Sequence, residues 1–251
     1  MPVITSPKNE LIKQLRKLNR KKNRLQQQRY LIEGTHLVTE ALKANQPVTQ
    51  VLLSTELKTW PELPDTITVQ WISPQVAKAL SSTVTTQGIF AILPLPKQQQ
   101  PEQLTGTWLL LDDVQDPGNI GTMVRTADAA GLTGVVLSSG SADLYSAKVL
   151  RAMQGSHFHL PLYQGDLPTW LAQFKAAGLP IFGSELNPAA VNFRQVPAQS
   201  QFALIMGNEG NGMESALLTQ TDQNLYIPIK GHAESLNVAV AAGILLFQLK
   251  S

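Results

Sequence analysis

The alternation of apolar and polar positions divides the chain into short, regularly spaced elements. Residues 7–28 predict one helix, with Leu11, Leu15, Leu18 and Leu25 as a sparse apolar stripe and polar residues around it. "RYLIEG" then predicts a strand, "THLVTEALKAN" a helix, "VTQVLLS" and "TITVQWIS" strands, "PQVAKALS" a short helix and "QGIFAILP" a strand. The stretch 94–107, "PLPKQQQPEQLTGT", is rich in Pro and Gln and has no apolar period, which predicts a linker.

Beyond the linker the alternation resumes. Strands are predicted at 108–112, 134–138, 158–163, 180–184, 202–206 and 225–229, and helices at 119–130, 145–153, 166–178, 213–220 and 235–249. "FALIM" and "GVVLS" are apolar without alternation, as strands buried on both faces are. That predicts a parallel sheet with helices on both sides. The fold class is therefore α/β: a small N-terminal α/β domain over 1–93, a linker over 94–107 and a larger parallel-sheet domain over 108–251. The last helix, "SLNVAVAAGILLFQL", is apolar nearly all round, which predicts burial on every side and a homodimer.

Composition narrows the function classes. The chain has 251 residues, 43% hydrophobic and 15% charged, enough to bury a core. It has no cysteine, which excludes a disulfide scaffold and a thiolate metal site. The N-terminus lacks the apolar core of a signal peptide, and the longest apolar run, 238–247, is too short to span a bilayer. A cytoplasmic protein is the expectation.

Charge adds a partner. Residues 1–29 carry nine Lys/Arg against one acid, net +8, while 30–251 carry eleven against seventeen, net −6. A basic end on an acidic body predicts a polyanion partner, RNA or DNA, rather than a merely solvated helix face. The candidate contacts are Lys13, Arg16, Lys17, Arg20, Lys21, Lys22 and Arg24.

Three motifs carry the candidate chemistry. The first, "DDVQDPGNIGTMVRTADAAG" (112–131), follows an apolar strand, bends through Asp116, Pro117, Gly118 and Asn119, and continues as a helix holding Arg125. The second, "IMGNEGNGM" (205–213), is a buried strand followed by a glycine-dense turn. The third, "YIPIKGHAESLNVAVAAG" (226–243), is a strand, a loop and the start of the last helix. In a parallel sheet such loops share the carboxyl edge, where ligands bind, so the three can converge on one pocket. "GNEGNG" departs from G-x-G-x-x-G and the chain has no P-loop, which disfavours nicotinamide and ATP enzymes. His157 and His159 in "GSHFHLP" fall on one face of an expected strand but lack a third ligand, so no metal site is expected. Met206 and Met213 read as core.

"NIGTMVRTADAAG", "IMGNEGNGM" and "IPIKGHAESLNVAVAAGI" together resemble the SpoU (TrmH-like) family of RNA ribose 2′-O-methyltransferases, members of the SPOUT superfamily. "LIEGTHLVTEAL" and "TTQGIFAILP" are similar to the family's small, L30e-like substrate-binding domain. The resemblance covers nearly the whole chain. It implies a C-terminal domain with a deep trefoil knot, which general folding rules disfavour and periodicity does not reveal. It implies methyl transfer from S-adenosylmethionine to a ribose 2′-hydroxyl without a metal.

Residue roles follow from the same resemblance. Asn119 and Arg125 match a catalytic pair, both expected to face the pocket mouth: Asn119 orients ribose, and Arg125 acts as a base or, since arginine stays protonated, grips a phosphate. Glu209 is matched to a glutamate that bonds pocket backbone or Asn119. Ser235 serves as a substrate contact or only as the N-cap of the last helix. Asn237 belongs to the active site and should have a buried partner. Gly207, Ile227 and Leu236 match cofactor-binding positions, with Asn208, Gly210 and Pro228 on the same loops. The implied substrate is structured RNA, 23S-type rRNA first and tRNA as the alternative. A non-catalytic RNA-binding or ribosome-assembly protein and a base methyltransferase are rival readings. Because the last helix carries the third motif, a site shared between two subunits is expected.

Overall fold

The computed structural model describes residues 2–97 and 99–250; Met1, Gln98 in the expected linker and Ser251 lie outside them. The chain begins with α1 (Glu10–Lys17), α2 (Lys21–Gln27), β1 (Arg29–Glu33), α3 (Thr35–Lys43), β2 (Gln50–Ser54), β3 (Thr68–Ile72), α4 (Pro74–Leu80) and β4 (Ile89–Pro94). It continues with β5 (Thr107–Leu111), α5 (Pro117–Ala129), β6 (Gly134–Ser138), α6 (Ala147–Met153), β7 (Leu162–Gly165), α7 (Leu167–Ala176), β8 (Ile181–Ser184), β9 (Val191–Asn192), β10 (Phe202–Met206), α8 (Ser215–Leu218), β11 (Gln223–Tyr226) and α9 (Val238–Lys250).

Two units result: Met1–Lys97 with Asp143–Phe158, and Gln98–Ala142 with His159–Ser251. The segment 143–158, which the sequence reading places with the C-terminal domain, thus packs with the N-terminal unit. There α6 lies against β1, and Asp143 forms an ion pair with Arg24 of α2.

The N-terminal unit is a four-stranded sheet in the order β1-β4-β2-β3, with only the β2–β3 pair parallel. Ile12, Leu15 and Leu18 of the first helix turn pack on Leu52, Ile72, Leu80 and Phe90 to form its core. The predicted single helix over 7–28 is two. Asn23 donates to the carbonyl of Lys17 at 2.9 Å and Arg24 to that of Leu18, so side chains satisfy carbonyls that a continuous helix would have bonded internally.

The C-terminal unit holds seven strands in the order β7-β6-β5-β10-β8-β11-β9, every pair parallel. Trp108, Leu110, Val136, Ile181, Ala203 and Ile205 pack on one face against α7 residues Trp170, Leu171 and Phe174. Strand alternation sends Leu109, Leu111, Val135 and Leu204 to the other face, where α5 and α9 lie. A Cβ on Gly134 would fall against the Trp108 ring, so only glycine fits that strand start.

One sequence expectation is corrected here. Residues 158–161 are not strand: Ser156–Phe158 is a 3-10 turn, and the strand begins at Leu162. His157 and His159 therefore share no strand face. Within one chain α9 leaves Val240 52% and Phe247 55% exposed, so burial on every side would require the second subunit that the sequence reading expects.

Candidate active site

The parallel register places the ends of β5, β10, β8 and β11, four consecutive strands, at one edge of the sheet. The loops leaving them enclose a cavity of about 210 Å³. Gly207, Asn208, Glu209, Gly210 and Gly212 form one wall; Ile227, Ile229, Ser235 and Leu236 form another; Val238, Ala241 and Leu245 of α9 close it. Such a site, with apolar walls and backbone polar groups at its rim, suits a flat heteroaromatic ring with edge donors and acceptors.

Local chemistry fixes each loop. Asp116 caps α5, accepting from the N–H groups of Gly118 at 2.6 Å and Asn119 at 3.0 Å, and Pro117 occupies the first helical position, where its missing N–H costs nothing. The loop 207–212 closes on itself: Asn208 N–H donates to the Gly212 carbonyl at 2.9 Å and Gly212 N–H returns the bond at 3.0 Å. The Asn208 side chain accepts from Gly210 and Asn211 and donates to the Asp113 carbonyl at 2.8 Å, tying this loop to the first motif. A Cβ on Gly207 would land on the backbone of Gly212 and Met213, so the turn admits only glycine there.

Beside the cavity three side chains form a chain of defined polarity. Asn237 caps α9, its Oδ1 accepting from Ala239 N–H at 2.9 Å and Val240 N–H at 3.3 Å. Its Nδ2 is then left to donate, and does so to Asn119 Oδ1 at 2.9 Å. Asn119 Nδ2 in turn donates to Glu209 Oε1 at 3.0 Å. One end is backbone N–H, which only donates; the other is a carboxylate, which only accepts. Both amide orientations are therefore determined by their neighbours.

Glu209 also accepts from Gln115 N–H at 3.1 Å and Asp116 N–H at 2.9 Å. Its partial burial disfavours the charge, but hydrogen bonds from Asn119, Asp116 and Gln115 outweigh that and hold its carboxyl below the usual range. Asp112, at the end of β5, goes the other way. Burial raises its pKa and the hydrogen bond from Glu214 N–H at 2.9 Å only partly offsets this.

The predicted residues distribute unevenly. Gly207, Asn208, Gly210, Ile227, Leu236, Glu209 and Ser235 line the cavity; Pro228 does not. Ser235 is not the cap of the last helix, because Asn237 holds that position. The partner of Asn237 is Asn119, and both are hydrogen-bonded at the surface rather than buried. Arg125 neither lines the cavity nor meets a hydrogen-bond or ion-pair partner among the described residues. Six residues along a helix turn the side chain by about 240°, so Asn119 and Arg125 leave α5 on different sides. Met206 is core, yet also lines the cavity.

Sequence reasoning missed the β8 edge. Ser184, Glu185 and Leu186 line the cavity and add a hydroxyl and a carboxylate to it. The available signal was an apolar strand, "IFG", ending abruptly in polar "SE". No group of three or more His, Asp or Glu side chains that could hold a metal occurs among the described residues.

In the N-terminal unit, Lys13, Arg16, Lys17, Arg20, Lys21 and Lys22 are exposed on α1, α2 and the corner between them. Arg24 is not available there. It is 2% exposed, paired with Asp143 and bonded to the Leu18 carbonyl.

Comparisons with known proteins match two stretches of the chain. Residues 106–247 match the SpoU rRNA Methylase family and residues 9–91 an MRM3-like substrate binding domain. The chain is 45% identical over 250 residues, covering 100% of both proteins, to the 23S rRNA (guanosine(2553)-2′-O)-methyltransferase RlmP of Bacillus subtilis. Among solved structures it is similar to the AdoMet-bound rRNA methyltransferase of Sinorhizobium meliloti, with 28% identity, TM-score 0.85 and 99% and 97% of the two chains covered. It is also similar to the AdoMet complex of the SpoU methyltransferase AviRb of Streptomyces viridochromogenes, with 26% identity, TM-score 0.82 and 97% of each chain covered.

Proposed function

The chain belongs to the SpoU rRNA methylase family, and we propose that it transfers the methyl group of S-adenosylmethionine to a ribose 2′-hydroxyl of 23S rRNA. The observation that carries this reading is the Asn237–Asn119–Glu209 chain of hydrogen bonds beside a cavity built from three glycine-bearing loops. A protein that only binds RNA has no need of that polar alignment.

S-adenosylmethionine, when bound, supplies a methyl group on a sulfonium. The backbone of 207–210, 227 and 236 would hold it, with Ile227, Leu236 and Leu245 as apolar wall and Glu185 and Ser184 as polar lining groups available to its hydroxyls. Pro228 shapes the loop between two lining residues. Asn119 would orient the ribose that receives the methyl group, and Ser235, which lines the cavity, would offer it a hydroxyl. The exposed cations of α1 and α2 hold the RNA backbone.

Two copies act together in this reading. Val240, Ile244 and Phe247 lie at i, i+4 and i+7 on α9, an apolar stripe on which Val240 is 52% and Phe247 55% exposed and Ile244 half-buried. Joining two copies along α9 and the adjoining α5 brings the partner's exposed α5 face to the site, which gives Arg125 a phosphate to grip. A 23S rRNA substrate supports a cytoplasmic location. No helix among the described residues is long and apolar enough to cross a membrane.

The test is methyl transfer from labelled S-adenosylmethionine to 23S rRNA and tRNA from cells lacking this gene. The product is mapped by resistance to alkaline cleavage. One alkali-resistant guanosine in 23S rRNA, absent with Arg125→Ala, is the expected result. Label on tRNA instead, or at an alkali-sensitive nucleotide, overturns the substrate or the modified atom.

A further inference from the structure

We propose that Arg151, on the segment 143–158, completes the RNA-binding surface of the N-terminal unit by gripping a backbone phosphate. The proposal rests on the RNA-methyltransferase reading and names a part of its substrate surface.

Arg151 lies on α6, inside the stretch that matches the methylase family by sequence, yet this helix belongs to the N-terminal unit. It lines a small cleft with Asn19, Glu33 and Ser82, floored by Leu31, Leu37, Leu80 and Leu150. Asn19 is the corner between α1 and α2, and the exposed cations Arg16, Lys17, Arg20, Lys21 and Lys22 all lie within three residues of it. Arg151 therefore extends that basic corner across the cleft.

The guanidinium is held for use. Its Nη1 donates to Ser82 Oγ, and no carboxylate pairs with it among the described residues. Five N–H donors in a rigid fork leave most of its capacity open. Leucines line the same cleft and offer apolar surface to the arginine stem.

Glu33, the one acid of the cleft, has its oxygens engaged by neighbouring donors rather than by Arg151. It accepts from Ser81 Oγ at 2.6 Å, Thr86 Oγ1 at 3.0 Å and Ser82 N–H at 3.2 Å. These bonds also order the loop 81–86, whose tip residue Val84 is 97% exposed. The result is an arginine fork beside an ordered, hydroxyl-rich loop and a basic corner.

That chemistry fits a sugar-phosphate backbone. No aromatic ring lines the cleft, so it offers no stacking platform for an unpaired base. Backbone contacts position RNA without reading its sequence. The inferred ligand is the backbone of an RNA stem, held so that the target nucleotide reaches the methylating unit.

The experiment measures binding of unmodified 23S rRNA transcript by the full-length enzyme across a salt series. Each phosphate contact contributes about 0.9 to the slope of log affinity against log salt on a duplex. Arg151→Ala is expected to weaken binding about five- to tenfold and lower the slope by about one. The affinity for S-adenosylmethionine and the turnover at saturating RNA stay unchanged. Arg151→Lys keeps most of the slope, and Ser82→Ala, which removes the tether but not the charge, keeps all of it.

An unchanged slope in Arg151→Ala overturns the proposal, as does a Ser82→Ala variant that reproduces the Arg151→Ala loss, since Arg151 would then be a structural anchor. If Arg151→Ala does not fold, Arg151→Gln, which keeps the stem and removes the charge, must show the same fall in slope. A wild type that binds and methylates 23S rRNA while Arg151 variants bind equally well refutes this inference alone. A wild type that methylates no RNA refutes the function on which it rests.

Discussion

Replacing Glu209 separates acceptor geometry from charge. The carboxylate accepts three hydrogen bonds, from Gln115 N–H, Asp116 N–H and Asn119 Nδ2. A bond to a charged group is worth about 1.5–3 kcal/mol when shielded from water. Glu209 is exposed, so solvent screening reduces each to about 1 kcal/mol. Glu209→Ala removes all three, about 3 kcal/mol of alignment between the first and second motifs, and predicts a fall of about a hundredfold in kcat/KM. Glu209→Gln keeps its oxygen for Asp116 and Asn119 but turns an amide N–H toward the Gln115 N–H. One bond is lost and two donors face each other, which costs about 1–2 kcal/mol and predicts a fall of about tenfold. The assay is methyl transfer to 23S rRNA, with hydrogen exchange at the Gln115 and Asp116 amides as the structural readout. Full activity in Glu209→Ala refutes the reasoning. Equal damage from Gln and Ala also refutes it, because charge rather than acceptor geometry would then decide.

Asn237→Asp keeps the cap of α9 but sets an acceptor against Asn119 Oδ1; thermal stability should hold within about 1 °C per few tenths of a kcal/mol while methyl transfer falls at least tenfold, and a variant losing both equally would refute the polarity argument. The pH dependence follows from Glu209. Its burial raises the pKa, its hydrogen bonds lower it by more, and the folded value lies below the ordinary 4.5, so the stabilisation is complete above that value and is lost as pH falls through the folded pKa. S-adenosylmethionine affinity should therefore stay level from neutral pH to about 4.5 and drop below it, and Glu209→Gln should flatten that drop. Arg24→Ala leaves Asp143 unpaired and should cost about 3 kcal/mol, or about 6–12 °C in Tm, with no change in the salt slope of RNA binding. Phe247→Glu on the open stripe of α9 should turn a dimer into monomer by sedimentation, and a dimer that persists places the interface elsewhere.

Sequence pattern located the strands and helices well where burial imposes a clear period. β1 to β4 and β5, β6, β8 and β10 follow apolar runs bounded by turn residues. It failed where long-range partners decide. The break between α1 and α2 depends on Asn23 and Arg24 reaching back to carbonyls, an alternative that periodicity does not weigh. Arg24 reads as one more basic residue because Asp143, which buries it, lies 119 positions away. The assignment of 143–158 to the N-terminal unit is equally invisible, since the run reads as an ordinary crossover helix. Within the site, glycine-dense turns marked three loops, and the fourth escaped because Ser184–Leu186 needs no unusual backbone angle and carries no such mark.

The arrangement also constrains where the proton of the methylated hydroxyl goes. Glu209 is the carboxylate bonded to the Asn119 side chain, but its oxygens are committed to three donors and its pKa is held low. A base so engaged has little proton affinity to offer at neutral pH. Asn119 and Asn237 are amides with both ends spoken for, and neither titrates. Ser235 lines the cavity with no hydrogen-bond partner among the described residues, but a neutral hydroxyl is no stronger a base than the ribose it would serve. What one chain supplies is thus orientation. In the proposed reading the ribose is aimed by Asn119, whose own orientation is set from both sides. In the proposed reading, lowering the hydroxyl's proton affinity falls to a cation, and the candidate is Arg125, exposed and unpaired among the described residues. Arg125→Lys keeps that charge and should retain part of the activity that Arg125→Ala loses, with the pH–rate profile of the lysine variant shifted upward. Equal loss in both variants assigns Arg125 to bidentate phosphate geometry rather than to the hydroxyl.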